Sequence, residues 1–256
     1  MMPVMLPCRI AFLGGNGHCA ARLAPARRSL PAGIDLLDIP YPGFEGRPRA
    51  RDFEDFLNAV SAHLQAATPG RIYAMGIGGL LALCLRARGD LLEIPLLFQA
   101  PILWGLERRL MPKVMRLGLA RFALARLFSS ASFQRHFVSK YFTDPPAPDM
   151  VRAFFDGYAR CAAAPDLFAW LTPTLLRSLE RDLTAHPQGL DGIEIWWGAR
   201  DRVVTLQELA WTRKALALGE RWPVRVFPSW GHYPMIDDPA GWAEELARVV
   251  AAPGAI

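Results

Sequence analysis

Cysteine is scarce in this 256-residue chain: Cys8, Cys19, Cys84 and Cys161 lie far apart, and none forms a C-x-x-C pair. Such spacing offers neither a zinc site nor a disulfide framework, and it fits a reducing, cytoplasmic setting. Long apolar runs are lacking too. The nearest, Ile94 to Leu106, contains two prolines and falls short of the roughly 20 apolar residues that a bilayer-crossing helix needs. Met1 to Arg9 has no basic stretch ahead of its apolar residues, and prolines interrupt it, so no secretory leader is expected. Charge is modest at +5, and the arginines are spread along the chain, not gathered as a nucleic-acid surface would want them. A nucleic-acid partner is therefore not expected, whereas an acidic partner or an anionic substrate is left open. What the chain does have is apolar bulk, 52% hydrophobic against 21% charged. That describes a globular chain, and 256 residues suit one α/β domain with an insertion at least as well as two small domains.

Arg71 to Leu85 reads as a short apolar strand turning sharply into a buried helix, with Ala74-Met75-Gly76-Ile77-Gly78 at the turn. Small residues two before and two after the centre let strand and helix pass in van der Waals contact. The pentapeptide resembles the nucleophile elbow, G-x-S-x-G, of the α/β-hydrolase superfamily. Ala74 and Gly78 take the two small positions, and Gly76 stands where that family places its nucleophilic serine.

Upstream, the strand Arg9 to Leu13 runs into Gly14-Gly15-Asn16-Gly17, a turn able to present backbone N–H groups. It is similar to the family's H-G-x-G oxyanion loop, with Gly14 in place of the histidine. The resemblance implies oxyanion donors at the N–H groups of Asn16 and Ile77, with Gly15 and Met75 beside them. Gly15-x-Gly17-x-x-Ala20 followed by Asp38 also matches a dinucleotide fingerprint. Against that reading, Pro25 and Pro31 leave little room for the long helix that heads a pyrophosphate site. A plain strand-to-helix turn is the third reading of this segment.

Ile34 to Ile39 predicts the next strand, and Pro40 to Gly46 a turn-rich loop loosely similar to the family's D-x-P-G-x-G. Asp52 to Ala67 spaces its apolar residues as a surface helix stopped by Gly70. Glu93 to Pro101 is another buried strand. From Glu107 to about Gly189 helical patterns and prolines replace strands, where the family inserts a cap over its site, so a helical cap over about 105–190 is expected. Lys113, Arg116, Arg121 and Arg126 project in widely separated directions on a helix over 110–128, which favours a lid helix with solvated charges over a membrane-surface helix.

Gly192 to Gly198 resumes the sheet and leads to Asp201 before Val203-Val204; Thr205 to Leu218 reads as a helix. Trp222 to Phe227 is the last strand, followed by Gly231-His232, an acidic residue, a proline and a final helix from about 240 to 250. Alone, such an aspartate is usually a turn residue or helix cap, and such a histidine is structural. In the family's order they resemble its catalytic acid and histidine, an acid that fixes the imidazole tautomer. The resemblance covers nearly the whole chain and implies an α/β-hydrolase fold with a mostly parallel central sheet, helices on both faces and a helical cap.

Two functions follow as expectations. In the first, His232 held by Asp201 acts as a general base on an apolar carbonyl compound, with room left at Gly76 and no covalent serine intermediate. In the second, the chain is a pseudoenzyme that binds a hydrophobic small molecule or a partner. A serine esterase carrying a serine-to-glycine change is the third possibility; Cys19, His18 and Tyr233 are minor candidates for a substitute nucleophile. No cofactor, metal or transmembrane segment is expected.

Overall fold

A parallel sheet buried on both faces needs apolar side chains pointing both ways, and the strands supply them by strict alternation. Ile10, Phe12, Tyr73, Met75, Leu97 and Trp196 face one side, and Ala11, Leu13, Ile72, Ala74, Phe98 and Trp197 face the other. The computed structural model describes residues 8–105, 109–117, 119, 123, 126–128, 130–217 and 221–251. Six strands occur there: β1 (Cys8–Leu13), β2 (Ile34–Asp38), β3 (Arg71–Met75), β4 (Leu96–Gln99), β5 (Ile193–Gly198) and β6 (Val224–Phe227). They pair in parallel in the order β2-β1-β3-β4-β5-β6.

The link from β1 to β2 is a 3-10 turn (Ala20–Leu23) and a helix of six residues, α1 (Ala24–Ser29), with Pro25 in its first turn. The long helix of a dinucleotide site is absent there. Next, α2 (Phe53–Ala67) starts on Asp52, whose carboxylate accepts from the Asp55 N–H at 2.8 Å, which satisfies one orphan donor of the first turn. It ends at Thr68, which takes the left-handed conformation two residues before the expected stop at Gly70. α3 (Ile77–Ala87) follows β3 and is buried almost throughout.

Between β4 and β5 the described residues form helices and no strand: α4 (Leu110–Val114), α5 (Ala131–Tyr141), α6 (Pro148–Ala159), α7 (Ala164–Trp170) and α8 (Pro173–Ala185). The single helix expected over 110–128 is not what forms: α4 stops at Val114, with Met115 buried in a turn. Positions 118, 120–122, 124, 125 and 129, Arg121 among them, lie outside the described residues. α8 buries Leu176, Leu179 and Leu183 in the core shared with α2 and α3. It is thus part of the helical layer on that face. α9 (Leu206–Ala215), α10 (Pro234–Asp237) and α11 (Pro239–Ala251) complete the chain, α11 closing the opposite face with Trp242 and Leu246 against α1.

This strand order has a functional consequence. The chain leaves β1 toward β2 on one side and returns to β3 on the other, so the loops after β1 and β3 splay apart and open a crevice at the carboxyl edge. In a parallel sheet the loops after β4, β5 and β6 open at that same edge.

Candidate active site

Between β3 and α3 stands Gly76, with φ +55° and ψ −119°, a conformation an L side chain adopts only under strain. Its N–H donates to the Gln99 carbonyl (3.1 Å) and its carbonyl accepts from the Ile102 N–H (2.9 Å), so the turn is fixed from β4. The flanking glycines are required by contact: a Cβ on Gly78 would lie 2.2 Å from the Leu13 carbonyl oxygen, and one on Gly79 2.7 Å from the Pro101 Cβ. At Gly76 itself there is room, since a Cβ would meet only the Gly15 Cα at 3.8 Å and Ile102 Cδ1 at 3.9 Å.

Facing this turn is the loop after β1. Among the described residues, no hydrogen bond within the protein uses the backbone N–H of Asn16 or of Ile77. The Asn16 side chain donates to the Ala164 carbonyl at 2.9 Å, tying the loop to α7. Behind the loop, His18 Nε2 lies 2.8 Å from Asp38 Oδ1, and its ring fills the space that a side chain at position 14 would need, 2.3 Å from an added Cβ. Gly14 is therefore what admits the imidazole. Asp38, a ribose-binding candidate under the dinucleotide reading, is engaged by a histidine instead.

The acid and histidine loops are brought together by close backbone approach. A Cβ on Gly198 would sit 2.3 Å from the Trp230 carbonyl oxygen, and the Ala199 and Arg200 N–H groups donate to the carbonyls of Phe227 and Trp230. Asp201 Oδ1 accepts from the N–H groups of Val203 (2.7 Å) and Val204 (2.9 Å), while Oδ2 lies 2.8 Å from His232 Nδ1. The aspartate is thus a turn residue through one oxygen and the imidazole's partner through the other. A carboxylate only accepts, which puts the proton on Nδ1 and leaves the Nε2 lone pair at the far end of the ring.

His232 reaches a cavity of about 380 Å³ that Gly15, Asn16, Gly76 and Ile77 also line. Met75 does not line it: its side chain points to the other face of the sheet, beside Phe12 and Tyr73, because alternation along β3 sends it there. Asp201 stands behind the histidine. The α5, α6 and α7 helices contribute Lys140, Tyr141, Tyr158 and Phe168, and Arg109 and Leu110 complete the rim. No serine, threonine or cysteine lines this cavity among the described residues. Cys19 is buried beneath Ala153.

Three phenols were not foreseen as a group. Tyr141 and Tyr233 set their rings edge-on to His232, at 5.4 and 4.9 Å, and Tyr158 lines the same wall. Burial pushes all three hydroxyls well above or above the usual phenol range, so they are neutral hydrogen-bonding groups and poor nucleophiles. The Tyr233 hydroxyl faces Arg22, a buried cation stacked over Phe154 at 3.7 Å and donating to the Phe154 carbonyl at 2.7 Å. Arg109 is fixed by both oxygens of Glu208 and by the Val203 carbonyl, which joins the start of the inserted helices to the acid loop. Tyr233 follows His232 directly in the chain, whereas Tyr141, Tyr158 and Arg109 lie far from the glycine-marked loops and carry no signal in the sequence. No group of His, Cys, Asp and Glu among the described residues could hold a metal ion.

Comparison with known folds places this geometry. The esterase of Exiguobacterium antarcticum superposes with a TM-score of 0.73 at 14% identity, covering 97% of this chain and 94% of that one. A 2-hydroxy-6-oxo-6-phenylhexa-2,4-dienoate hydrolase from a Rhodococcus species gives 0.68 at 16% identity, covering 96% and 91%. The enol-lactonase of Burkholderia xenovorans gives 0.65 at 15% identity, covering 96% and 92%. A search among proteins of curated function finds no match. At such identities the structures speak for the fold alone, but the sequence model of the alpha/beta hydrolase family also matches, from residue 10 to residue 245, and the chain belongs to that family.

Proposed function

We propose that this is a hydrolase-type enzyme acting on an apolar carbonyl compound, an ester, thioester or relative, without a covalent serine intermediate. The observation that carries the reading is His232 Nδ1 at 2.8 Å from Asp201 Oδ2, with the ring lining a cavity beside a Gly76 that has no side chain. The space there admits a water or a substrate C–H or O–H next to the imidazole. Asp201 holds the tautomer that leaves Nε2 basic, so His232 takes the proton as general base. The N–H groups of Asn16 and Ile77 donate to the developing oxyanion, the role for which preorganised donors matter most. The neutral phenols of Tyr141 and Tyr158 can donate to the same substrate. The inserted helices up to about residue 172 act as the cap.

A second reading, a binding protein that turns nothing over, draws on the absence of a serine, threonine or cysteine from the cavity lining. One experiment separates the two. The parent, His232→Ala, Gly76→Ser and Gly76→Ser with His232→Ala are assayed on p-nitrophenyl acetate, butyrate and octanoate and on acyl thioesters. Parent turnover that falls with His232→Ala and escapes fluorophosphonate labelling supports the first reading; an inert parent with an active, labelled Gly76→Ser supports the second. An inert Gly76→Ser counts against a hydrolase site complete but for its nucleophile. General-base assistance is commonly worth about 10²–10⁴ in rate, so loss of His232 is expected to be plain.

A further inference from the structure

Residues 108–143 contain eight arginines and lysines and no aspartate or glutamate, so a chain of net charge +5 carries +8 there and −3 elsewhere. The same stretch exposes apolar bulk. Of the six large hydrophobic side chains exposed among the described residues, four lie between residues 110 and 127: Leu110 at 71%, Leu117 at 63%, Leu119 at 89% and Leu127 at 43%. Leu110 and Lys140 also line the cavity that holds His232, so this basic, leucine-bearing stretch meets the cavity's rim at those two residues. Scattered exposed leucines need no explanation, but leucines gathered in one short stretch mark a contact surface.

From this juxtaposition we infer that the rim docks on an anionic lipid surface, with leucines entering the headgroup boundary and Lys113, Arg116 and Lys140 facing lipid phosphates. Water has no use for leucines at 63% and 89% exposure, and an acid-free run of cations among them matches a negatively charged bilayer. The stretch is broken after Val114, so its cations are not spread around one continuous helix. No helix among the described residues is long and apolar enough to cross a membrane, so the contact is peripheral. It places the cavity mouth against the bilayer, where an apolar substrate can enter without crossing water. The docking stands apart from the chemistry proposed above, and it is read without turnover.

The chain has three lysines, Lys113, Lys140 and Lys214, the last on α9 and exposed, which makes amine acylation a footprint of orientation. The intact protein is mixed with vesicles of phosphatidylcholine alone or with phosphatidylglycerol, sedimented, and acylated while bound. Binding is expected only with phosphatidylglycerol, lost at high salt, with Lys113 and Lys140 protected and Lys214 not. Lys113→Glu with Arg116→Glu is expected to weaken the partition by about tenfold or more, and Leu117→Ser with Leu119→Ser to weaken it with circular dichroism unchanged. No binding to anionic vesicles, protection of Lys214 in place of the other two, or indifference to both double variants overturns the inference. Retention on immobilised poly-glutamate without vesicle binding would assign the surface to an acidic protein and overturn it equally.

Discussion

Glycines 76 and 78 are two residues apart and serve opposite physical ends. Position 76 has space but a left-handed backbone; position 78 has an ordinary backbone but no space. Gly76→Ala and Gly76→Ser are expected to fold with a loss of roughly 1–3 kcal/mol, read as a lower denaturant midpoint at unchanged slope. Gly78→Ala drives a Cβ into the Leu13 carbonyl oxygen, which the sheet holds in place, and is expected to cost more than Gly76→Ala in the same titration. The Gly14 and His18 pair behaves as a lock and its key. Gly14→Ala should destabilise through the clash with the imidazole, and combining it with His18→Gly should recover much of the loss; simple additivity of the two changes would show that the contact is not their link. Each of these contacts joins residues through space. In sequence, Gly14 shows only as a departure from H-G-x-G, and Asp38 only as an acid at a suggestive distance.

At the scale of elements, strands and their following loops were readable because each combined a short apolar run with a glycine or proline at the carboxyl end. β1, β3, β5 and β6 fall within a few residues of their expected bounds, and Asp201 and His232 come together at 2.8 Å as the order of the loops implied. The inserted helices were not readable to the same degree. Their apolar residues are divided among the cavity wall, the sheet's helical layer and the surface, so helical spacing does not tell which of these a given helix covers, and α8 packs on α3. The histidine loop has a brace that spacing could not reveal. Asp237, on α10, accepts from the Thr143 N–H and hydroxyl, and a Cβ on Gly231 would lie 2.8 Å from the same oxygen. Burial raises its carboxyl from 3.8 to about 6 despite those two hydrogen bonds. The native state then binds more protons than the unfolded chain between pH 3.8 and about 6, so this group's contribution falls as pH rises through that window and stays low above it. Asp237→Asn can keep both acceptor contacts and is expected to flatten that slope. Denaturation midpoints of parent and variant should converge at the acid end and separate toward neutrality, the variant being the more stable; parallel curves would remove Asp237 from the account.

Taken whole, the molecule divides along the strand axis. Parallel pairing sends Gly14–Asn16, Gly76–Ile77, Asp201 and His232 to one edge of the sheet, while the turns entering the strands gather at the other. At the entry to β2, Ala32 and Gly33 are exposed, and a Cβ on Gly33 would meet nothing within 4 Å. A short flexible insertion between those two residues is expected to leave the thermal midpoint nearly unchanged, whereas the same insertion between Gly76 and Ile77 should abolish folding; equal damage at both sites would refute this division of labour. The consequence reaches to handling. Because the sheet has a chemical pole and a structural pole, a tether placed at the β2 entry fixes the molecule with its cavity pointing away from the support. Immobilised this way, every copy presents the same opening to whatever flows past, and a random mixture of orientations, the usual loss in surface assays, does not arise.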